Sequence, residues 1–339
     1  ETAYNKLPFT NEVIPGNIDG VEYSIKTNYA ELELRYPFDV LSRLNFGLAF
    51  RNDRVVYKAK NDYTLNLPSI SQNWLFLRAE YVFDNCIEVA TNIRYGTRFK
   101  VFGEIHKEFP TKNKQLGENY EFPLVQFNNK YMTVFGADLR HYMKVYKQII
   151  WANRIAIGAS FGNKRMIYYM GGLDNWLTGP QYDKFDRTTP INLNNNYAFQ
   201  TLATPLRGFK QNARNGDKFL LINSELRVPI FAALINSPIK AEFIRNFQLV
   251  AFMDVGTAWE GASPFSDNNP LYNEEIPNAD NPSVVVRVKR YKTPVIMGFG
   301  PGVRTTIFGF FLRLDAAWGV DTGEITKRPM YYFTFGLDF

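Results

Sequence analysis

The strongest constraint in this sequence is an alternation of apolar and polar residues, with a period of two, that recurs in long segments. The final segment shows it most clearly, with apolar side chains at Tyr331, Phe333, Phe335, Leu337 and Phe339. The positions between them carry Tyr332, Thr334, Gly336 and Asp338. Because successive side chains of a strand point to opposite faces of a sheet, this pattern predicts a β-strand with one apolar face.

About eleven segments carry the pattern, and most span roughly 10–15 residues, whereas strands of globular proteins average about 5–6. They are 30–38, 44–51, 75–83, 96–108, 131–143, 148–162, 218–230, 246–259, 294–306, 308–319 and 331–339. A strand that crosses a bilayer needs about 9–11 residues. The pattern therefore predicts an all-β fold, an antiparallel transmembrane β-barrel with about 11–12 strands visible, rather than a soluble sandwich.

The connections between these segments alternate in length. Short ones fall near 37–42, 84–85, 144–147 and 307, one of intermediate length covers 231–244, and long polar ones cover 59–71, 109–128, 163–216 and 260–293. Outer-membrane barrels have short periplasmic turns and long extracellular loops. We interpret residues 1–339 as one barrel domain, with 1–20 as a lead-in segment and 163–216 as a long extracellular loop that folds toward the lumen.

Strand parity adds an expectation about the size of the barrel. Counted back from a periplasmic C-terminus, eleven strands would begin outside the cell, whereas single-chain bacterial barrels usually have an even number. Either residues 1–20 contain one more strand, or the sequence begins inside a larger barrel. We favour the larger barrel, because no export signal begins at Glu1.

The composition argues against most catalytic and metal-binding functions. Cys86 is the one cysteine, which excludes an internal disulfide and a Cys-based zinc site. His106 and His141 are the two histidines, and neither has a legible Ser or Asp partner, although a triad built from distant residues stays the enzyme alternative. The acidic loop 266–280 is predicted to be a solvated surface, with a Ca²⁺ site as the alternative. We predict no catalytic residue, metal or cofactor, and no nucleic-acid partner, because basic residues form no run.

Four motifs, taken in order, resemble the BamA-type superfamily of outer-membrane protein assembly and translocation barrels. They are LRGF at 206–209 after YYMGG at 168–172, NSELRVP at 223–229, FMDVGTAW at 252–259 and the ending FTFGLDF at 333–339. The resemblance covers roughly 75–339, and an insertion at 173–205 departs from the compact family pattern. The resemblance implies that the chain contains the last eleven strands of a sixteen-stranded barrel. The chain also resembles the barrel of a subgroup in which a TolB-like propeller precedes the barrel.

The resemblance also implies a set of site residues. The loop tip Arg207-Gly208-Phe209 would act as a latch inside the barrel. By alternation, Glu225 and Asp254 point into the lumen, where a guanidinium can bind carboxylates through a bidentate fork. Phe333, Phe335, Leu337 and Phe339 resemble the C-terminal signal of outer-membrane barrels.

Other polar and aromatic positions have simpler interpretations. We expect ordinary lumen-lining charges at Glu31, Arg35, Arg78, Glu80, Asp138, Arg140, Arg154, Arg313 and Asp315. We expect the lipid face or its interfacial girdle at Trp74, Trp151, Trp259 and Trp318. Phe339 is expected either to be recognised as part of the C-terminal signal or simply to face lipid.

These expectations lead to two functional hypotheses for a protein of the bacterial outer membrane. In the first, the barrel inserts or exports polypeptides and uses the Arg-Gly-Phe latch. The alternative is a structural or pore-forming barrel that anchors a periplasmic domain or a partner complex. The expected partners are outer-membrane lipid and lipopolysaccharide, the barrel assembly machinery during biogenesis, and periplasmic or outer-membrane complex subunits.

Overall fold

The structure of the chain is a computed structural model. It describes residues 5–6, 23–57, 70–109, 130–179, 183–192, 195–235, 237, 239–266, 269, 271–277, 285–289 and 292–339. Most of the lead-in segment 1–20 lies outside these residues, so a possible strand there stays a prediction.

Almost all regular structure in the described residues is β. The strands are β1 Asn5–Lys6, β2 Tyr23–Pro37, β3 Ser42–Tyr57, β4 Ile70–Asp84, β5 Ile87–Ala90, β6 Ile93–Phe109, β7 Tyr131–Tyr146, β8 Ile149–Gly162, β9 Arg165–Met170, β10 Tyr197–Ala203, β11 Arg214–Gly216, β12 Lys218–Val228, β13 Gln248–Trp259, β14 Asn273–Pro277, β15 Val285–Lys289, β16 Ile296–Ile307, β17 Phe310–Asp321, β18 Glu324–Ile325 and β19 Met330–Phe335. Two short helices are α1 Ile230–Leu234 and α2 Glu242–Arg245. None of the described helices is long and apolar enough to cross a membrane.

Eleven strands form the wall of the molecule. Their order is β2-β3-β4-β6-β7-β8-β12-β13-β16-β17-β19, all neighbours are antiparallel, and β5 and β18 extend the sheet to 13 strands in the described part of the chain. Within the same part, β2 pairs with β3 alone and β19 with β17 alone. The wall is therefore a partial antiparallel barrel. The all-β fold and the eleven predicted segments are confirmed, whereas a total of sixteen strands stays a prediction.

The two faces of the wall follow the alternation in the sequence. Outward-facing side chains such as Leu34, Leu48 and Leu77 are exposed. Inward-facing side chains such as Asn223 on β12 and Asp254 on β13 are buried. An exposed apolar belt is what a sheet facing lipid requires. The predicted assignment of faces is confirmed on these strands.

A second, smaller sheet fills part of the barrel interior. It has the order β1-β10-β9-β11, and three of its strands come from the long loop 163–216. Phe199 of β10 lies against Trp74 of β4, with 5.1 Å between ring centroids. Trp74 is only 1% exposed, so its predicted position on the lipid face is wrong. The reason is its register, because it alternates with the outward-facing Leu75 and Leu77 and points inward.

The last residues also depart from the prediction. β19 ends at Phe335, Gly336 has φ +109°, and the chain then turns inward instead of extending the strand to 339. Asp338 is buried, and Phe339 packs against the interior cluster that contains Ile93 and Tyr142. Phe339 therefore lies inside the barrel and does not face lipid.

Candidate functional site

The tip of the long loop is held inside the barrel by its own backbone. Leu206 pairs with Gly172 in an isolated bridge, and Ala213 N donates to Met170 O at 2.9 Å. These bonds tie the tip 206–209 to the Gly-Gly pair at 171–172, although the insertion separates them in sequence. The side chains of Leu206, Phe209 and Met170 share one buried apolar cluster with Leu221 of β12.

Arg207 projects from this tip into a fully buried polar centre. Its Nε and Nη2 donate to the two oxygens of Asp254 at 2.7 and 2.8 Å, and its backbone N donates to Asp254 Oδ2 at 3.0 Å. Nη2 also lies 2.8 Å from Glu225 Oε1, and Nη1 lies 3.7 Å from Asp315 Oδ1. One side chain therefore contacts carboxylates from three strands, which are β12, β13 and β17.

The surroundings keep the Arg207 guanidinium charged and fixed in orientation. Burial alone would lower the pKa of Arg207, but the negative charges of Asp254 and Glu225 outweigh burial and raise that pKa above its ordinary value. The guanidinium carbon lies 3.6 Å from the centroid of the Phe252 ring, which adds a cation–π contact. Asn223 donates both to Asp254 Oδ1, at 2.8 Å, and to the loop carbonyl of Pro205, at 2.7 Å.

Gly208 occupies a position that has no room for a side chain. Its φ is +92°, and a Cβ there would lie 2.8 Å from the backbone of Trp318 and Gly319 on β17. The hydroxyl of Tyr332 accepts from Gly208 N at 2.9 Å and donates to the carbonyl of Phe209 at 2.8 Å. The loop tip is therefore bonded to β19 as well as to β12 and β13.

A buried network of charges extends from Arg207 to the C-terminal residues. Arg227 binds Glu225 at 2.8 Å, and Arg304 Nη1 binds Asp315 at 2.8 Å. Asp338 accepts from Arg304 Nε at 2.9 Å and lies 2.8 Å from Arg313 Nε. Four carboxylates thus face four guanidinium groups: Glu225, Asp254, Asp315 and Asp338 with Arg207, Arg227, Arg304 and Arg313. We call these eight residues the lumen network.

The structure therefore brings together Arg207, Glu225 and Asp254, and it adds members that the sequence does not identify. Asp315 and Arg313, which the alternation predicts as ordinary lining, belong to the lumen network. Arg154, also predicted as ordinary lining, donates to the loop carbonyl of Thr204 at 2.8 Å. The alternation correctly indicated that these side chains point inward, but it did not indicate which residues they contact.

The C-terminal candidate residues lie on both faces of the wall. Phe335 and Leu337 are exposed on the outside of the barrel, and Phe333 is half-buried there. Phe339 lies on the inside, with its ring centroid 5.1 Å from the Arg227 guanidinium carbon. In the described ranges, no group of three His, Cys, Asp or Glu side chains is placed to hold a metal ion. His106 lies against Glu104 at 2.8 Å in the same interior.

Comparison with known proteins agrees with this architecture. The model of the Omp85 superfamily domain matches residues 9–339. BamA from Haemophilus ducreyi, solved without its POTRA domains 1–3, is similar in structure, with a TM-score of 0.51, 15% identity, and coverage of 92% of this chain and 54% of that one. CdiB from Acinetobacter baumannii gives a TM-score of 0.39 at 14% identity, covering 92% of this chain and 50% of that one. Curated proteins gave no significant match.

The chain thus spans about half the length of the solved structures that it matches. The resemblance seen in the loop tip and in the two following strands is confirmed by the family match, which covers nearly the whole chain. A propeller in front of the barrel stays a prediction. The chain belongs to the Omp85 superfamily and is a β-barrel of the bacterial outer membrane.

Proposed function

We propose that this barrel inserts or exports polypeptides, and that the loop tip Arg207-Gly208-Phe209 acts as a latch that sets the position of the C-terminal strands. The observation that carries the proposal is the complete burial of Arg207 against Asp254 and Glu225. A buried charge is retained only when its partners compensate for lost hydration. Docking of the loop and alignment of β12 and β13 therefore depend on each other.

The lumen network gives the latch a route to the edge of the sheet. Arg207 connects the loop tip to β12, β13 and β17, and Tyr332 bonds Gly208 and Phe209 to β19. Asp338 connects the residues after β19 to β16 and β17. We propose that a docked latch keeps β19 in register, with its outer edge, which pairs with no strand in the described part of the chain, available as one side of a seam for client strands. An undocked loop would remove the Tyr332 contacts and leave β19 held by its pairing with β17 and by the ion pairs of Asp338.

The interior sheet argues against a passive pore as the main activity. β9 and β10 occupy the lumen, and Phe199 packs against the wall at Trp74 and Phe76. Polypeptide passage would then require the seam or a movement of the loop. We assign no catalytic step to the chain. Its proposed partners are lipid and lipopolysaccharide, the barrel assembly machinery during its own biogenesis, and further periplasmic or outer-membrane subunits.

The test uses the full-length protein reconstituted into liposomes, with a urea-unfolded outer-membrane barrel as client and a second polypeptide offered for export. Insertion is measured as the client fraction that becomes heat-modifiable and protease-resistant, and export as the fraction protected inside the vesicle. We expect faster insertion or export than in empty liposomes, and loss of that gain in Arg207→Ala. The matched control is Lys210→Ala, because Lys210 pairs with Asp183 at the surface of the same loop.

Two results would contradict the proposal. The first is no gain in insertion or export by the wild-type protein over empty liposomes, which would favour an anchoring barrel or, with steady ion conductance, a pore. The second is a gain that Arg207→Ala and Lys210→Ala both retain, which would separate the activity from the latch.

A further inference from the structure

The connection between β12 and β13 exposes several apolar side chains at the periplasmic end of the barrel. It contains α1 and α2, and neither helix buries a residue. Leu234 is 74% exposed and Phe243 49%, and Ile235 and Ile244 are also exposed. Contiguous exposed apolar side chains mark a surface that contacts something other than water.

This surface lies on the outside of the barrel wall. The hydroxyl of Thr305, on the outward face of β16, donates to the carbonyl of Phe243 at 2.8 Å. Phe247, two residues before the outward-facing Leu249, has ring contacts with Phe231 at 5.5 Å and Phe243 at 6.2 Å between centroids. Both helices are therefore attached to the side of the wall that faces lipid, and they do not cover the mouth of the lumen.

The apolar surface is continuous with the lipid-facing belt. Phe308, at the tip of the adjacent turn between β16 and β17, is 96% exposed. Phe310 is exposed on the outward face of β17 and lies 6.0 Å from Phe335 of β19, centroid to centroid. Phe247 and the exposed Leu249 connect the helices to the surface that acyl chains cover, and Phe308 and Phe310 extend that surface on the next hairpin.

The charges beside this surface are mostly positive. Residues 144–147 and 230–247 carry Lys144, Lys147, Lys240 and Arg245, against the single carboxylate Glu242. Lys147 also donates to the carbonyl of Ala233 in α1 at 3.1 Å, which connects the two turns. Apolar side chains flanked by cations are typical of segments that lie in a membrane interface containing anionic lipid.

We propose that residues 230–247 form an interfacial anchor that lies in the periplasmic leaflet of the outer membrane. Leu234, Ile235, Phe243 and Ile244 insert among the phospholipid acyl chains, and Lys240 and Arg245 bind the phosphate groups. The anchor fixes the depth of the barrel next to β12 and β13, the strands that hold the loop tip. It does not depend on whether the barrel inserts or exports polypeptides.

The test places a single NBD-labelled cysteine at Phe243 in the full-length protein, in a background without other cysteines. Leu249→Cys is the matched lipid-facing reference, and Asp183→Cys, in the water-exposed part of the long loop, is the aqueous reference. In phosphatidylethanolamine–phosphatidylglycerol liposomes, we expect the Phe243 probe to match Leu249, with blue-shifted emission, quenching by spin-labelled phospholipid and protection from iodide. Emission and iodide quenching equal to the Asp183 probe would overturn the proposal.

Two further measurements distinguish lipid from a protein partner and test the charges. In native outer-membrane fragments, the Phe243 probe is expected to stay quenched by spin-labelled phospholipid. If that quenching is lost while the probe stays protected from iodide, a protein covers the surface and the proposal is overturned. Lys240→Glu combined with Arg245→Glu is expected to shift the probe emission to the red in anionic but not in zwitterionic liposomes. Equal emission of the wild-type and double-variant probes in anionic liposomes would overturn the role of the anionic headgroups. Heat-modifiable migration on gels verifies that each variant is folded.

Discussion

Removal of the Arg207 side chain is the perturbation whose size follows most directly from the structure. In Arg207→Ala, Glu225 keeps Arg227 and Asp315 keeps Arg304. Among the contacts described above, Asp254 loses its guanidinium partner and keeps two uncharged donors, the side-chain amide of Asn223 and the backbone N–H of residue 207. Breaking a buried ion pair by removing one partner costs about 3–5 kcal/mol. Since 1.4 kcal/mol is a tenfold change, the ratio of docked to undocked loop falls by roughly a hundredfold to a few thousandfold.

Hydrogen–deuterium exchange of the backbone amides in 203–214, measured in lipid nanodiscs, reports this ratio directly. We expect the protection factors of Leu206, Arg207 and Gly208 to fall by that factor, while those of β7 and β8 stay unchanged. Lys210→Ala is expected to leave the whole loop unchanged, because its ion pair with Asp183 is exposed to water.

A compensating variant makes the test specific for charge. Arg207→Met with Asp254→Asn removes the guanidinium and one of the carboxylates that face it, and apolar or neutral replacements of a buried pair are often tolerated. We expect this double variant to recover part of the protection lost in Arg207→Ala. Wild-type exchange rates in Arg207→Ala would refute the assignment of a buried, energetically coupled latch, and equal losses in the single and double variants would refute the electrostatic cause.

Three further variants address other parts of the site by the same exchange measurement. Gly208→Ala is expected to release the loop. Its control is Gly261→Ala, which has a similar positive φ but nothing within 4 Å of the added Cβ and is expected to change exchange only in its own turn. Equal effects of the two variants on loop exchange would show that backbone strain alone matters. Tyr332→Phe leaves the Gly208 N–H and the Phe209 carbonyl without their shared hydroxyl and is expected to cost about 1–3 kcal/mol of loop protection, which unchanged exchange would contradict. Asp338→Asn removes the charge opposite Arg304 and is expected to speed amide exchange in β16 and β19. Exchange rates there that equal those of the wild type would exclude a structural role for the C-terminal residues.

The position and the two faces of most wall strands were predictable because they depend on local periodicity. Segment 131–143 corresponds to β7 and segment 218–230 to β12. A shift of one residue would exchange the faces of a strand, so an apolar series that must meet lipid specifies its register strongly. The same rule placed Glu225 and Asp254 in the lumen without any knowledge of their neighbours.

The partners of the lumen charges were not predictable. Alternation shows which face of a strand a side chain is on, but it does not show how deep in the barrel the side chain lies or which side chain is opposite. Arg304 and Asp338 are 34 residues apart in sequence and meet because the chain turns inward after Phe335. Trp74 was misplaced for a related reason. Its inward register was legible, but the loop strand that covers it, with Phe199, becomes adjacent only after the loop has folded into the lumen.

The sequence by itself thus determined an antiparallel membrane barrel, the orientation of its strands and the family motifs at the loop tip. Each of these depends on residues that are close together along the chain. Tertiary structure decided that a loop sheet occupies the interior, that Arg207 contacts carboxylates from three strands, and that the C-terminal residues join the same network. These features depend on side chains that converge from distant strands, and their energies arise only when burial removes water from charges that must then find partners.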